Sequence, residues 1–312
     1  MNKITILDAA MGSELEQRGV PMHKEIWAGL AALEHSDVIQ SIHEDNINIG
    51  ADVITTNTFS TARHCLVPIG YADKTELINK KSVEVALRAR DKCKKKDVLI
   101  AGSLSNSVIG DVLRNSDDKS MPKTVYTKRH YLLDLDEWRE PSRLLETYEE
   151  QISILKNEGV DLLLLEMMQS PDLAMPLIKA AAGSGLPVWL GVCVGSKKSS
   201  QYIPAFDIPD IVFEESLKQF LTYDFEATLV MHSEFEDVTP ALEVIKKHYK
   251  GTLGTYPHHG KFVIPNWIYS DVNEDEFIAF NKEWKSMGAS IFGTCCGLNY
   301  NYLKILRDNL VD

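Results

Sequence analysis

The chain predicts an α/β fold, a (β/α)8 barrel of the TIM type, on three observations. Eight short β-type apolar runs are spread along its 312 residues, amphipathic helical stretches follow most of them, and polar residues gather where the runs end. Eight parallel strands alternating with helices close most readily into a barrel, and a barrel of this length commonly forms a single unit.

The runs follow in order. Residues 4–7 stop at Asp8, and residues 53–56 lead into Asn57. Residues 98–102 end on a glycine, and residues 162–166 are four leucines closed by Glu166. Residues 188–193 finish with Cys193, 227–231 precede His232, 252–255 precede Tyr256, and 290–293 lead to Cys295 and Cys296. Helical periodicity covers residues 74–92, 142–156, 216–222, 239–248, 274–285 and 300–307, with helix-start signals at Pro171–Asp172 and at 237–240. The charged stretch 111–141 fits neither pattern. It lies on the side where barrel loops reach an active site and reads as an elaborated loop or lid, or as an insertion without a role.

Composition narrows the function. A hydrophobic fraction of 44% and a charged fraction of 25% are those of a globular protein, and no low-complexity linker divides residues 1–312, so one domain is expected. The formal charge of −12 would repel nucleic acid and an anionic membrane surface, which leaves a neutral or cationic small molecule as the expected partner. No apolar run is long enough for a bilayer and the start lacks a signal-peptide pattern, so a cytoplasmic protein is expected. A homo-oligomer is compatible with the sequence. The five cysteines are an odd number and two are adjacent, which argues for reduced thiols over a disulfide framework.

In a (β/α)8 barrel the chemistry sits at the C-terminal ends of the strands, where seven of the eight runs here carry polar residues. Cys295 and Cys296, in a tight segment with a glycine on each side, suit zinc; the alternative is a pair of inert buried thiols. A catalytic zinc has three protein ligands and an open position, so a third ligand is required.

Five segments then carry a resemblance: ILDAAMGSELEQRG at 6–19, ADVITTNTFS at 51–60, GVDLLLLEMM at 159–168, YPHHG at 256–260 and GASIFGTCCG at 288–297. In this order they resemble the homocysteine S-methyltransferases, whose members use betaine, S-methylmethionine or folate donors. The resemblance runs almost end to end and is weakest between residues 104 and 141. It implies a (β/α)8 barrel that moves a methyl group onto the thiol of homocysteine, giving methionine, with zinc as cofactor. It implies that Cys295 and Cys296 are zinc ligands and places His232 where the family has its first cysteine, so that the site becomes Cys2His. Cys193 is a rival third ligand, and His258 and His259 lie near in topology.

The resemblance further implies that Asp8 and Glu166 hold the substrate ammonium, and that backbone N–H groups from Ala9 and Ala10 to Gly12 meet its carboxylate. Ala9 and Ala10 stand where the family usually has two glycines. Asn57 belongs to a Thr-Asn-Thr element that organises loops beside the substrate. The donor would be a sulfonium or quaternary ammonium, for which Trp189 or Trp284 are candidate cation-π partners. The family's glycine-proline-rich element after the third strand is poorly reproduced at 103–110, and the short tail leaves no room for an attached cobalamin domain. Two other readings stay open: a metal-containing methyltransferase for another thiol or a selenol, and a catalytically silent amino-acid-binding barrel without zinc.

Overall fold

In a computed structural model, residues 3–95, 97–106, 141–196, 201–206, 208–263 and 265–311 are described. Eight strands form a closed barrel: β1 (Thr5–Ala9), β2 (Val53–Thr55), β3 (Leu99–Ser105), β4 (Leu162–Met168), β5 (Val188–Val192), β6 (Ala227–Met231), β7 (Thr252–Tyr256) and β8 (Ala289–Thr294). Each strand pairs in parallel with its neighbours in sequence, and β1 closes on β8. All eight strands arise where the apolar runs predict them, with no end displaced by more than three residues.

Both faces of the barrel wall are buried, which is why the strands read as continuous apolar runs and not as alternating ones. Along β4, Leu163 and Leu165 pack with the helices, whereas Leu162 and Leu164 join Leu7, Val53, Trp189, Leu229 and Ile291 inside the barrel. The outer layer includes helices Ser36–Ile49, Thr75–Lys92, Pro141–Glu158, Pro171–Ala182, Phe213–Phe220, Phe235–His248, Glu274–Ser286 and Tyr300–Leu310. Among the described residues no helix is long and apolar enough to cross a membrane.

Three features at the C-terminal end of the barrel escaped the periodicity. A short helix, Met11–Gln17, follows β1 directly. Pro204–Ala205 pairs antiparallel with Ile208–Val212 after β5, and Lys261–Val263 pairs with Asn266–Ile268 after β7. The charged stretch after β3, expected to form a loop or lid, falls outside the described residues apart from Pro141, where a helix begins.

Candidate active site

The strand ends surround a cavity of about 510 Å³. Its floor holds Glu166, His232, Tyr256, Cys295 and Cys296, and Trp27, Phe59, Phe206, Phe262 and Trp267 stand around its walls.

Glu166 reaches the cavity through an irregularity of β4. Between the pairs Leu165–Leu190 and Met168–Val192 the chain advances three residues along β4 for two along β5, and Met167 takes a left-handed φ of +61°. The extra residue is a bulge, uncommon in parallel sheets, and it re-aims the side chains beside it. A bulge of the same size lies between Ile6 and Ala9 of β1, at Asp8. Trp27, Met167 and His232 are the non-glycine residues with positive φ among the described residues, and all three line this cavity. Such backbone costs about 1–3 kcal/mol per residue and clusters at functional sites.

A chain of contacts crosses the floor. The Ser103 hydroxyl donates to Glu166 Oε1. Glu166 Oε2 lies 2.8 Å from His232 Nε2, and His232 Nδ1 lies 3.0 Å from Cys295 Sγ. His232 holds its place with a φ of +48° and an N–H donated to the Tyr256 carbonyl at 3.1 Å. Tyr256 fits because residue 293 is glycine: a Cβ there would lie 2.6 Å from the Tyr256 ring.

Burial governs the ionisation of these groups. It pushes the Cys295 thiol well above its usual range, and the neighbouring Cys296 and the Glu166 carboxylate add to the rise. The Tyr256 phenol is raised likewise, by burial first and then by Asp8, Cys295, Glu166 and Cys296, so it stays protonated. A Cys295 thiolate is therefore favoured only with a cation beside it. Among the described residues no three His, Cys, Asp or Glu side chains already form a group able to hold a metal ion. The donor set nevertheless fits zinc, because two cysteine sulfurs and an imidazole nitrogen line the same floor, with the imidazole already against Cys295.

Other expected residues stand differently. Asp8 is fully buried and does not line the cavity; its carboxylate accepts the Thr55 N–H at 2.7 Å and the Thr55 hydroxyl at 3.1 Å, which braces β1 against β2. Burial raises Asp8 well above the carboxylate range, against the lowering effect of Thr55 and with a further rise from Glu166. Ala9 N–H donates to Asn46 Oδ1 at 3.2 Å and Ala10 N–H to the Thr294 carbonyl at 2.8 Å, so neither of these backbone donors faces a ligand, although Ala10 lines the cavity. Asn57 lines it too, with its amide donating to the Ala28 carbonyl at 2.9 Å.

Cys193 is fully buried and off the cavity wall. His258 lines the cavity but faces Glu234 at 3.2 Å, and His259 stacks on Phe235. Trp284 packs in a cluster with Phe235 and Phe280, and Trp189 fills the barrel interior, so neither of these candidate cation partners borders the cavity. Trp27, Phe59, Phe206, Phe262 and Trp267, which do border it, were missed because they sit in loops or in strands of three residues that carry no period. Gly12 was the available signal for one of them, since a Cβ there would overlap the Trp27 ring.

Comparison with known proteins agrees with this architecture. The chain is 23% identical over 329 residues to a selenocysteine Se-methyltransferase of Brassica oleracea var. italica, covering 98% of this chain and 88% of the relative. It is 21% identical over 299 residues to homocysteine S-methyltransferase 1 of Arabidopsis thaliana, covering 93% and 88%. The crystal structure of the metallated homocysteine methyltransferase MmuM from Escherichia coli superposes with a TM-score of 0.73 at 20% identity, covering 98% of this chain and 96% of that one. The family profile described as homocysteine S-methyltransferase matches residues 5–310, and the chain belongs to that family.

Proposed function

We propose that this enzyme transfers a methyl group from a sulfonium or quaternary ammonium donor to the thiol of homocysteine, with zinc held by Cys295, Cys296 and His232. The observation that carries the reading is the 3.0 Å approach of His232 Nδ1 to Cys295 Sγ, beside Cys296, on the floor of the cavity. An alkyl thiol has a pKa of about 8.5, and zinc bound at these residues would supply the positive charge that keeps the acceptor sulfur a thiolate at neutral pH.

The protein's own residues do the rest. Glu166, reaching the cavity from the β4 bulge, receives the acceptor's ammonium. Asp8, shut behind Thr55, serves that group by bracing β1 against β2 beneath the floor. With the N–H groups of Ala9 and Ala10 already bonded, the substrate carboxylate is left those of Met11 and Gly12, where the chain turns into the helix Met11–Gln17. Aromatic walls attract a methyl-bearing cation by its charge and exclude water from the line of transfer. The same floor suits a selenol, a reading favoured by the likeness to the selenocysteine Se-methyltransferase.

Metal content tests the proposal. Protein purified without added zinc or chelator should carry about one zinc per chain, and Cys295→Ser or Cys296→Ser should each strip most of it. Full zinc stoichiometry in both variants would overturn the ligand assignment, and a wild-type chain without zinc would favour the silent-barrel reading.

A further inference from the structure

Resting on that reading of the metal site, we infer that Glu166 is also a positioning residue for zinc: it fixes the orientation and tautomer of His232 so that Nδ1 is presented to the cysteine pair. Both oxygens of Glu166 meet side chains, Oε1 the Ser103 hydroxyl and Oε2 the His232 Nε2 at 2.8 Å. An ionised carboxylate only accepts hydrogen bonds, so the shared proton sits on Nε2 and the lone pair of the ring falls on Nδ1, the atom facing Cys295. A carboxylate behind a metal-binding imidazole raises the basicity of the ligand nitrogen and holds the ring in plane.

The support extends back through two more strands. Ser103 N–H donates to Thr56 Oγ1 at 3.1 Å, and Thr58 Oγ1 donates to the Ser103 carbonyl at 2.7 Å. Thr56 and Thr58 share a hydrogen bond of 2.6 Å between their hydroxyls. The Thr-Asn-Thr element after β2 thus holds Ser103, Ser103 holds Glu166, and Glu166 holds His232. Left-handed backbone at Met167, next to Glu166, and at His232 itself flanks this contact on both sides. One carboxylate accordingly serves two ends of the reaction, the acceptor's amino group and the metal that would hold its sulfur. Anything that draws Glu166 away from His232 is felt at the metal.

Zinc affinity measured by competition with a chromogenic chelator tests this without turnover. Glu166→Ala should weaken zinc binding about 10- to 100-fold. Glu166→Gln, whose amide oxygen still accepts from Nε2–H, should stay within about 3-fold of wild type, and thermal melting of each variant reports that it is folded. In a His232→Cys background there is no imidazole to orient, so adding Glu166→Ala should leave zinc affinity unchanged. Unchanged affinity in Glu166→Ala alone, or an equal loss in both backgrounds, overturns the positioning role. A wild-type chain that takes up no zinc would overturn the metal reading on which it rests, a result distinct from either.

Discussion

At the scale of single residues, two histidines are used in opposite ways. His232 has a partner at each ring nitrogen, Glu166 and Cys295. His43, in the helix Ser36–Ile49, is fully buried, and among the described residues neither of its ring nitrogens meets a hydrogen-bond partner. Burial pushes its pKa down from 6.5 to about 3. The unfolded chain therefore binds a proton at His43 below about pH 6.5, and the folded chain only near pH 3. Within that window acidification favours unfolding, by about 1.4 kcal/mol per pH unit from this group. His43→Leu should keep the helix packed and remove this dependence. Urea unfolding at pH 7.5, 5.5 and 4.5 should show the variant gaining on wild type as pH falls. A stability difference that is constant across the three pH values would contradict the account.

At the scale of elements, the hairpin of Lys261–Val263 and Asn266–Ile268 builds one wall of the cavity with Phe262 and Trp267. It is fastened to the helix Met11–Gln17 by Glu16, which accepts the Trp267 N–H at 3.0 Å and the Asn266 side-chain amide at 2.9 Å. Tyr269 adds a hydrogen bond of 2.8 Å to the Ser13 carbonyl. Removing the carboxylate frees groups worth about 1–3 kcal/mol and loosens the aromatic wall. Glu16→Ala should raise the KM for the cationic donor about 5- to 10-fold while zinc content stays that of wild type. Donor saturation curves at fixed thiol give the answer; an unchanged KM would show that the hairpin holds without Glu16.

These elements also mark how far the sequence could be read. The barrel strands were legible because burial on both faces turns them into continuous apolar runs such as the four leucines before Glu166. The hairpin was not, because two three-residue strands carry no measurable period. Asp8 and Glu166 were both marked as strand-end carboxylates, yet one is shut behind Thr55 and the other faces the cavity. Where each bulge aims its side chain is settled by tertiary packing, which no count of residues along a strand reveals. The contact between Glu166 and His232 joins residues 66 positions apart and was likewise invisible.

At the scale of the whole molecule, the closed barrel brings residues from β3, β4 and the turns after β6 and β8 to one floor. A formal net charge of −12 would favour the approach of the cationic donor proposed above. In the proposed reaction a metal-held thiol accepts the methyl group in this cavity. The most direct measurement is methionine formation from homocysteine, with S-methylmethionine or betaine as donor, by zinc-loaded protein and by the same preparation stripped with a chelator. Zinc-loaded protein should form methionine with at least one of these cationic donors, lose nearly all of that activity on stripping, and regain it when zinc is returned. Equal methionine formation by loaded and stripped protein, or none from the loaded protein with either donor, would contradict the proposed reaction.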